Sequence, residues 1–327
     1  MRSAPRVLAL AASLLLSTRC SGARAADPVA KGPPAEARSY TLQNGVLHVE
    51  LKIPNAPAGG KPAILSPFGD LDALLARGVI LVQYQVDWPR LRELFGGSSE
   101  PPAEPETGQR VGAWLLSSPR PGVIGRNYFA LVNGNAKFVG GVLDLLERLP
   151  EVDPQRIAIA GSSTQGFVAL EALRREPRLA AGVIRVACGD YFTFLRSSTL
   201  ALANDPRWLP DGHLPLDADY AEQLRLQEPN GAPEAYPPRP LLLLAGQDDP
   251  VMPFPCVENT ASAFAPAYAR AGVPDRFHLE VFPGEGHDLG AGADRAALGW
   301  WEHWLLAAPP VSGRAAAGAP PETRRGG

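Results

Sequence analysis

The sequence predicts an α/β fold in which a mostly parallel sheet is covered by helices on both faces. Short apolar stretches alternate with segments whose apolar residues recur every three to four positions, as in helices. Some of these stretches, such as PLLLLA at residues 240–245, are apolar almost throughout, which is typical of strands buried on both faces. The stretch RIAIAGSSTQGFVALEAL, residues 156–173, predicts a buried strand, a tight turn of small residues and a helix.

The other elements follow in order along the chain. Residues 40–53 alternate in polarity around Asn44-Gly45, which predicts a β-hairpin. Further strands are predicted at residues 62–66, 79–85, 156–160, 180–187, 240–245 and 277–282. Helices are predicted at residues 71–76, 130–149, 167–175, 259–271 and 294–307. In such sheets ligands bind beyond the carboxyl ends of the strands, so the residues after each strand are the candidates for a site.

The N-terminus has the features of an export signal. Two arginines precede a short apolar run at residues 7–16, and the stretch before Ala26 fits a small-x-small cleavage site. A lipoprotein signal that modifies Cys20 is the alternative, although the arginine before it fits poorly. We therefore expect a signal peptide at 1–25, a flexible leader at 26–39, a folded domain at 40–307 and a disordered tail at 308–327. The expected location is secreted or periplasmic, without a stable membrane span.

Composition and charge indicate a folded protein and argue against some classes of binding partner. The chain has 327 residues, of which 45% are hydrophobic, enough for a large core. The net charge of −3 gives no attraction to nucleic acid or to anionic membranes. Beyond the signal, the cysteines are Cys188 and Cys256. The sequence leaves open whether they form a disulfide or stay apart, and it leaves the oligomeric state open.

Three residues that can act together each follow a predicted strand. They are Ser163, Asp249 and His287, in that order. A serine becomes nucleophilic when a base takes its proton, and a histidine base needs a carboxylate to fix its tautomer. The order serine, acid, histidine is the order found in α/β-hydrolases. The pattern therefore indicates acyl transfer to a serine.

The chain resembles the α/β-hydrolases, in particular the dienelactone-hydrolase-like and prolyl-oligopeptidase-like serine esterases and peptidases. The resemblance covers residues 40–307 and is carried by the motifs VDPQRIAIAGSSTQGF, LLLLAGQDDPVMP and VFPGEGHDLG. It implies the α/β-hydrolase fold and a catalytic triad. Residues 191–238 lie where members of this superfamily often carry a lid, so a lid-like insertion is expected there.

The nucleophile turn departs from the usual G-x-S-x-G pattern. With Gly161 as the first glycine, Ser163 is the nucleophile and Gln165 takes the place of the closing glycine. That glutamine side chain must then point outwards or displace a neighbour. A register one residue later makes Thr164 the nucleophile, and Ser162 is a third choice. We expect Ser163; the non-catalytic interpretation is a plain turn whose serines cap the helix.

The acid and the base also have alternatives. The segment GQDDPVMP places Asp249 in the acid position of the superfamily, with Asp248 and Asp190 as alternatives. His287, in PGEGHDLG, is the expected base. The other histidines are His48, His213, His278 and His303. Because no histidine cluster accompanies the adjacent aspartates, a metal site is rejected, and no cofactor is expected.

The resemblance also suggests the oxyanion hole and the substrate contacts. The backbone N–H of Thr164 would donate to the oxyanion, and that of Phe68 would be the second donor. The Phe68 loop reads SPFGD where many relatives have His-Gly. Phe68, Tyr191 and Trp208 are the expected substrate-binding side chains. The alternative is that the aromatic residues of the insertion form a small core of their own.

The expected function is a secreted serine hydrolase that cleaves small-molecule carboxylic esters through an acyl-enzyme on Ser163. A small serine peptidase of the same fold is the nearest alternative. The other is a catalytically inactive hydrolase-fold binding protein, which Gln165 and the missing His-Gly motivate.

Overall fold

The computed structural model describes residues 35–55, 59–87, 123–199 and 218–307. Within them, eight strands form one sheet in the order β1-β2-β4-β3-β5-β6-β7-β8. The strands are β1 (Ala35–Leu42), β2 (Leu47–Pro54), β3 (Lys61–Leu65), β4 (Ile80–Val86), β5 (Val152–Ser162), β6 (Gly182–Arg185), β7 (Leu241–Gly246) and β8 (Phe277–Phe282). The first three pairs in the order are β1 with β2 and β2 with β4, both antiparallel, and β4 with β3, which is parallel. From β3 to β8 every pairing is parallel, which confirms the predicted mostly parallel α/β sheet.

Seven α-helices accompany the sheet in the described part of the chain. They are α1 (Leu71–Ala76), α2 (Val123–Leu146), α3 (Thr164–Arg175), α4 (Tyr191–Ser197), α5 (Ala218–Gln227), α6 (Phe254–Arg270) and α7 (Ala291–Trp301). A π-helical turn, Glu302–Leu306, continues α7. Strands β3 and β7 are buried along their whole length, which explains why β7 reads as a continuous apolar stretch and β3 is apolar after Lys61.

The N-terminal hairpin is longer than predicted. Strand β1 pairs with β2 from Ala35 opposite Pro54 to Leu42 opposite Leu47. Residues 35–39, expected in the flexible leader, therefore belong to a strand. Asn44 and Gly45 form the turn with positive φ angles of 59° and 88°, a conformation that asparagine and glycine adopt most easily.

Several boundaries around the later strands also differ from the predictions. Helix α3 begins at Thr164 rather than at 167, directly after the turn at Ser163. Helix α6 begins at Phe254, five residues before the predicted start. Strand β6 is shorter than the predicted 180–187, and Val186 directly after it has a φ of 44°, which is incompatible with an extended strand. The predicted signal peptide, the tail and Trp208 lie outside the described residues.

The two cysteines left open by the sequence are joined. Cys188 and Cys256 form a disulfide with their Cα atoms 5.8 Å apart. Cys188 follows strand β6, and Cys256 lies in the first turn of α6. The bond therefore ties the segment after β6 to the helix that follows the β7 loop.

The described parts of the expected insertion, residues 191–199 and 218–238, contain α4 and α5 and two 3₁₀ turns. Asp190 caps α4 by accepting a hydrogen bond from the Thr193 N–H at 2.9 Å. Glu228, just after α5, accepts one from the Tyr191 N–H at 3.1 Å. Burial raises the pKa of the Glu228 carboxyl to about 7, and the neighbouring Asp190 charge adds to the rise. That this segment acts as a lid stays a prediction.

Among the described residues, no helix combines the length and the apolar character needed to cross a bilayer.

The raised pKa of Glu228 predicts a pH-dependent stability difference. A carboxyl with a pKa raised in the folded state holds its proton better there than in the unfolded chain, so it disfavours the fold as pH rises. Glu228→Gln keeps an acceptor for the Tyr191 N–H but cannot ionise. We expect its stabilising effect to grow between about pH 4.5 and pH 7 and to level off above, measured as the Tm difference from wild type across that range.

The control for this change is Glu228→Ala, which also removes the acceptor: its Tm should lie below that of Glu228→Gln at every pH, while its difference from wild type follows the same pH trend. A Glu228→Gln difference that does not vary with pH would show that the carboxyl is not desolvated in the folded protein.

Candidate active site

Ser163 lies on the turn between β5 and α3. Its backbone angles are φ 56° and ψ −122°, a region that non-glycine residues rarely occupy. Such conformations cost about 1–3 kcal/mol and persist where the surrounding structure enforces them. The turn lifts the half-buried Ser163 hydroxyl beyond the carboxyl end of the strand.

Two glycines make room for this turn. A Cβ atom on Gly161 would lie 2.1 Å from the carbonyl oxygen of Gln165, and one on Gly166 would lie 2.6 Å from the Cβ of Ala187. Both distances are far inside van der Waals contact. Gly161 therefore allows the helix to start immediately after the strand, and Gly166 allows it to pass close to the segment after β6.

The side chain of Gln165 is exposed. It therefore meets the condition set by the sequence, that a glutamine in place of the closing glycine must point outwards. Thr164 is buried as the first residue of α3, and Ser162 ends β5. Of the three candidate hydroxyls, the structure brings that of Ser163 to a histidine.

His287 joins Ser163 to Asp249. Its Nε2 lies 3.0 Å from Ser163 Oγ, and its Nδ1 lies 2.7 Å from Asp249 Oδ2. A carboxylate accepts hydrogen bonds, so the second contact places the ring proton on Nδ1 and leaves Nε2 to accept from the serine hydroxyl. The carboxylate side chain is 1% exposed and the imidazole 19%, so the contact is shielded while the ring remains open to a reactant.

The loop after β7 holds Asp249 in this orientation. Its Oδ1 accepts hydrogen bonds from the N–H groups of Val251 and Met252, each at 2.8 Å. This leaves Oδ2 for the imidazole. The alternative acids have other environments: Asp248 is exposed, and the Asp190 carboxylate binds Thr193 and Asn259.

The loop that carries His287 packs directly against the end of β7. A Cβ atom on Gly246 would lie 2.3 Å from the carbonyl oxygen of Gly286 and 2.5 Å from that of Glu285. The Asp248 N–H donates to the same Glu285 carbonyl at 3.0 Å. The acid loop and the histidine loop are thus joined through their backbones.

The other described histidines lie elsewhere in the fold. His48 contacts Thr41 within the hairpin, His278 is in β8, and His303 packs against Trp304 after α7. His213 lies outside the described residues. Among the described residues, no group of three or more His, Cys, Asp or Glu side chains is placed to hold a metal ion.

Phe68 and Tyr191, two of the expected substrate contacts, differ in how far they are buried. Phe68 is half-buried in the loop after β3, between Ser66 and Gly69, whose φ angles are 50° and 80°. Tyr191 has no exposed surface and stacks on Phe129 with ring centroids 3.8 Å apart. The structure therefore places Tyr191 in the aromatic interior, where no face is left for a substrate. Phe129 and Phe167, its aromatic neighbours at 3.8 and 5.7 Å between ring centroids, come from outside the insertion, so Tyr191 belongs to the main core and not to a separate core of the insertion.

Arg185 and Asp294 are absent from the residues predicted from sequence, yet they adjoin the site. The Arg185 carbonyl accepts the Ser163 N–H at 2.9 Å, and its guanidinium pairs with Asp294 at 3.0 Å. The available signal was a charged residue in the middle of an otherwise apolar stretch, VIRVA, at residues 183–187. Its partner, more than a hundred residues later, has no local signal.

The contacts of this turn predict a large loss of stability for one substitution and almost no change for another. Gly161→Ala forces a Cβ against the Gln165 backbone, which cannot move without shifting α3, so we expect a loss of about 3 kcal/mol in the free energy of unfolding. Gln165→Ala removes an exposed side chain and should change it by less than about 0.5 kcal/mol. Denaturant unfolding followed by tryptophan fluorescence measures both; equal effects would contradict this description of the turn.

Comparisons with known proteins bear on the fold and the family of the chain. No curated protein sequence matches the chain. Among solved structures, the Thermus thermophilus protein TT1662 is 26% identical with a TM-score of 0.55, and the match covers 84% of this chain and 100% of that one. A puromycin-hydrolyzing peptidase from Mycobacterium tuberculosis is 19% identical with a TM-score of 0.55, covering 85% of this chain and 40% of that one. An acylaminoacyl peptidase from Pyrococcus horikoshii is 16% identical with a TM-score of 0.57, covering 84% and 43%.

The chain thus spans the whole of one neighbour and about two fifths of the two peptidases. The two peptidases, below 25% identity, support the fold alone. The family comparison is more specific: the model of the prolyl oligopeptidase family matches residues 133–306, more than half of the chain, and this range includes Ser163, Asp249 and His287. The chain belongs to the prolyl oligopeptidase family and is a serine hydrolase of the α/β-hydrolase fold.

Proposed function

We propose that this protein hydrolyses carboxylic esters through an acyl-enzyme formed on Ser163. The observation that carries the proposal is the continuous contact from Ser163 Oγ to His287 Nε2, 3.0 Å, and from His287 Nδ1 to Asp249 Oδ2, 2.7 Å. Both distances suit proton transfer from the hydroxyl to the imidazole and stabilisation of the imidazolium by the carboxylate.

The reaction follows from these contacts. Ser163 Oγ attacks the ester carbonyl carbon while its proton passes to His287 Nε2, and the carbonyl electrons move to the oxygen. His287 then gives that proton to the departing alkoxide as the ester C–O bond breaks. A water molecule attacks the acyl-enzyme, loses a proton to His287 and releases the acid, and the proton returns to Ser163. Asp249 holds the ring orientation throughout.

The oxyanion is stabilised by two backbone N–H groups in this proposal. Thr164 directly follows the nucleophile and opens α3, where the N–H groups of the first turn point away from the helix body. Phe68 lies in the loop after β3, at the carboxyl edge of the strand next to β5. Loss of one such donor typically costs about 3–4 kcal/mol of transition-state stabilisation.

A small serine peptidase is the second candidate, and the family match together with the peptidases among the structural neighbours favours it. We place esters first because the motifs resemble those of dienelactone-hydrolase-like esterases. An alkoxide also departs with less help from a general acid than an amide nitrogen does. The inactive binding protein is the least supported candidate, because the outward Gln165 leaves the turn in a conformation suited to catalysis.

We also propose that the protein is exported, with Ala26 as the first residue of the mature chain. The charged and apolar N-terminal pattern supports this, and so does the Cys188–Cys256 disulfide, because such bonds persist in oxidising compartments. Intact mass of protein recovered from the producing organism decides the question: retention of Met1 contradicts export by cleavage, and a lipid adduct at Cys20 supports the anchored form.

The identity of the nucleophile is tested with a fluorophosphonate, which adds covalently to an activated serine. We expect one adduct on the intact mass of the wild-type protein, none on Ser163→Ala, and an unchanged adduct on the neighbouring control Ser162→Ala. A folded wild type that takes up no adduct contradicts the proposed function. An adduct that survives in Ser163→Ala contradicts the assignment of the nucleophile.

The substrate class is tested by comparing simple acyl esters with aminoacyl anilides. We expect kcat/KM on acetate or butyrate esters to exceed that on the anilides by at least about tenfold, with both activities lost in Ser163→Ala. A preference of similar size for the anilides supports the peptidase instead.

A further inference from the structure

Arg185 is a charged residue in a largely buried position that the proposed reaction leaves without a role. It ends β6, the strand beside β5, and its side chain is 14% exposed. Arginine is rarely so buried unless its guanidinium is paired. The contacts of Arg185 reach three segments that carry parts of the proposed machinery.

The first segment is the nucleophile turn. The Arg185 carbonyl oxygen accepts the backbone N–H of Ser163 at 2.9 Å. The same oxygen lies 3.2 Å from the position a Cβ on Gly166 would take. The main chain of Arg185 therefore supports the strained residue itself and the first turn of α3 behind it.

The second segment is the loop that carries the base. The Arg185 guanidinium donates through Nη2 to the carbonyl oxygen of Leu289, two residues after His287. Through Nη1 it pairs with Asp294 Oδ1 at 3.0 Å, in the first turn of α7. One side chain thus binds the short segment between His287 and α7 and also the first turn of that helix.

The third segment is the loop of the proposed oxyanion donor. The guanidinium carbon of Arg185 lies 5.7 Å from the centroid of the Phe68 ring, within the range of a cation–π contact. Asp294 Oδ1 would lie 3.0 Å from a Cβ on Gly69, so the carboxylate packs closely on the backbone of the same loop. Gly69 has a φ of 80°, which suits glycine at this close approach.

We infer that the side chains of Arg185 and Asp294 form a positioning pair that sets the His287 loop and the Phe68 loop relative to the strand end whose carbonyl holds Ser163. The inference rests on the proposed serine hydrolase function. Neither side chain touches the reacting atoms; the pair acts through the segments it holds. Those segments are distant in sequence, so their relative placement depends on contacts of this kind.

The chemistry of arginine suits this role. A guanidinium donates in several directions from one rigid plane, and its face can lie over an aromatic ring at the same time. Lysine offers one compact charge on a flexible stem and cannot make the bonds to Asp294 and Leu289 while lying over Phe68. Because the reacting groups must be placed to within about 1 Å, a small shift of one loop lowers the rate far more than it lowers stability.

Arg178 provides a matched control. Its side chain is 20% exposed and pairs with Asp144, Glu147 and Glu176, so it makes at least as many ion pairs as Arg185. It lies just beyond the C-terminal end of α3, whereas Ser163 precedes the first residue. Twelve helical residues span about 18 Å, so Arg178 is far from the nucleophile.

The experiment compares Arg185→Lys with Arg178→Lys in the full chain, using an ester substrate and the fluorophosphonate. For each variant, kcat, KM, the rate of serine labelling and Tm are measured. We expect Arg185→Lys to lower kcat and the labelling rate about 10- to 100-fold while KM changes less than about threefold. We expect Arg178→Lys to lower Tm at least as much and to leave kcat within about twofold.

Asp294→Asn is the second variant, because it keeps the size of the side chain and one acceptor oxygen but removes the charge. We expect a loss in kcat that is smaller than that of Arg185→Lys, and a larger loss for Asp294→Ala. If Arg185→Lys does not fold, a wild-type kcat in Asp294→Ala overturns the inference.

The outcomes separate this inference from the proposed function. A folded wild type that is neither labelled nor active refutes the proposed function itself. A labelled and active wild type with an unchanged kcat in Arg185→Lys overturns only the positioning pair. Equal losses of kcat in Arg185→Lys and Arg178→Lys, each in proportion to the drop in Tm, also overturn it, because the effect would then be one of general stability.

Discussion

The strained turn at Ser163 is the constraint on which the site depends. A serine held at φ 56° gains nothing locally from that conformation, so its neighbours must hold it there. They do so through the Ser163 N–H bound to the Arg185 carbonyl, and through the Ser163 carbonyl, which accepts from the N–H groups of Gly166 and Phe167 at 2.8 and 3.2 Å. The start of α3 and the end of β6 are therefore fixed by the same residue that presents the hydroxyl.

The remaining parts of the site are placed by backbone contacts at the same edge of the sheet. Gly246 lets the histidine loop pass directly over the end of β7, and the N–H groups of Val251 and Met252 orient the buried Asp249. The Asp248 N–H then binds the Glu285 carbonyl and joins the two loops. Each reactive side chain is thus set by rigid main chain, which is the condition for a preorganised site.

The sequence predicted those features whose signals are local. The mostly parallel sheet follows from apolar strands such as β7, and Ser163, Asp249 and His287 were identifiable because each follows a strand within a short motif. The burial of Tyr191 against Phe129 depends on packing between distant segments, and the pairing of Cys188 with Cys256 on geometry. The pairing of Arg185 could not be predicted from the sequence for the same reason, since its partner Asp294 is 109 residues away.

The most direct test of the central claim is to trap the acyl-enzyme itself. The protein is mixed with a p-nitrophenyl ester, quenched in acid within the first turnovers, and digested for peptide mass spectrometry. The triad geometry predicts an acyl group on the peptide that contains Ser163, located on that residue by fragmentation, and none in Ser163→Ala. Hydrolysis of the ester with the acyl group on Ser162 or Thr164, or with no acyl-enzyme even when deacylation is slowed at low pH, would contradict it.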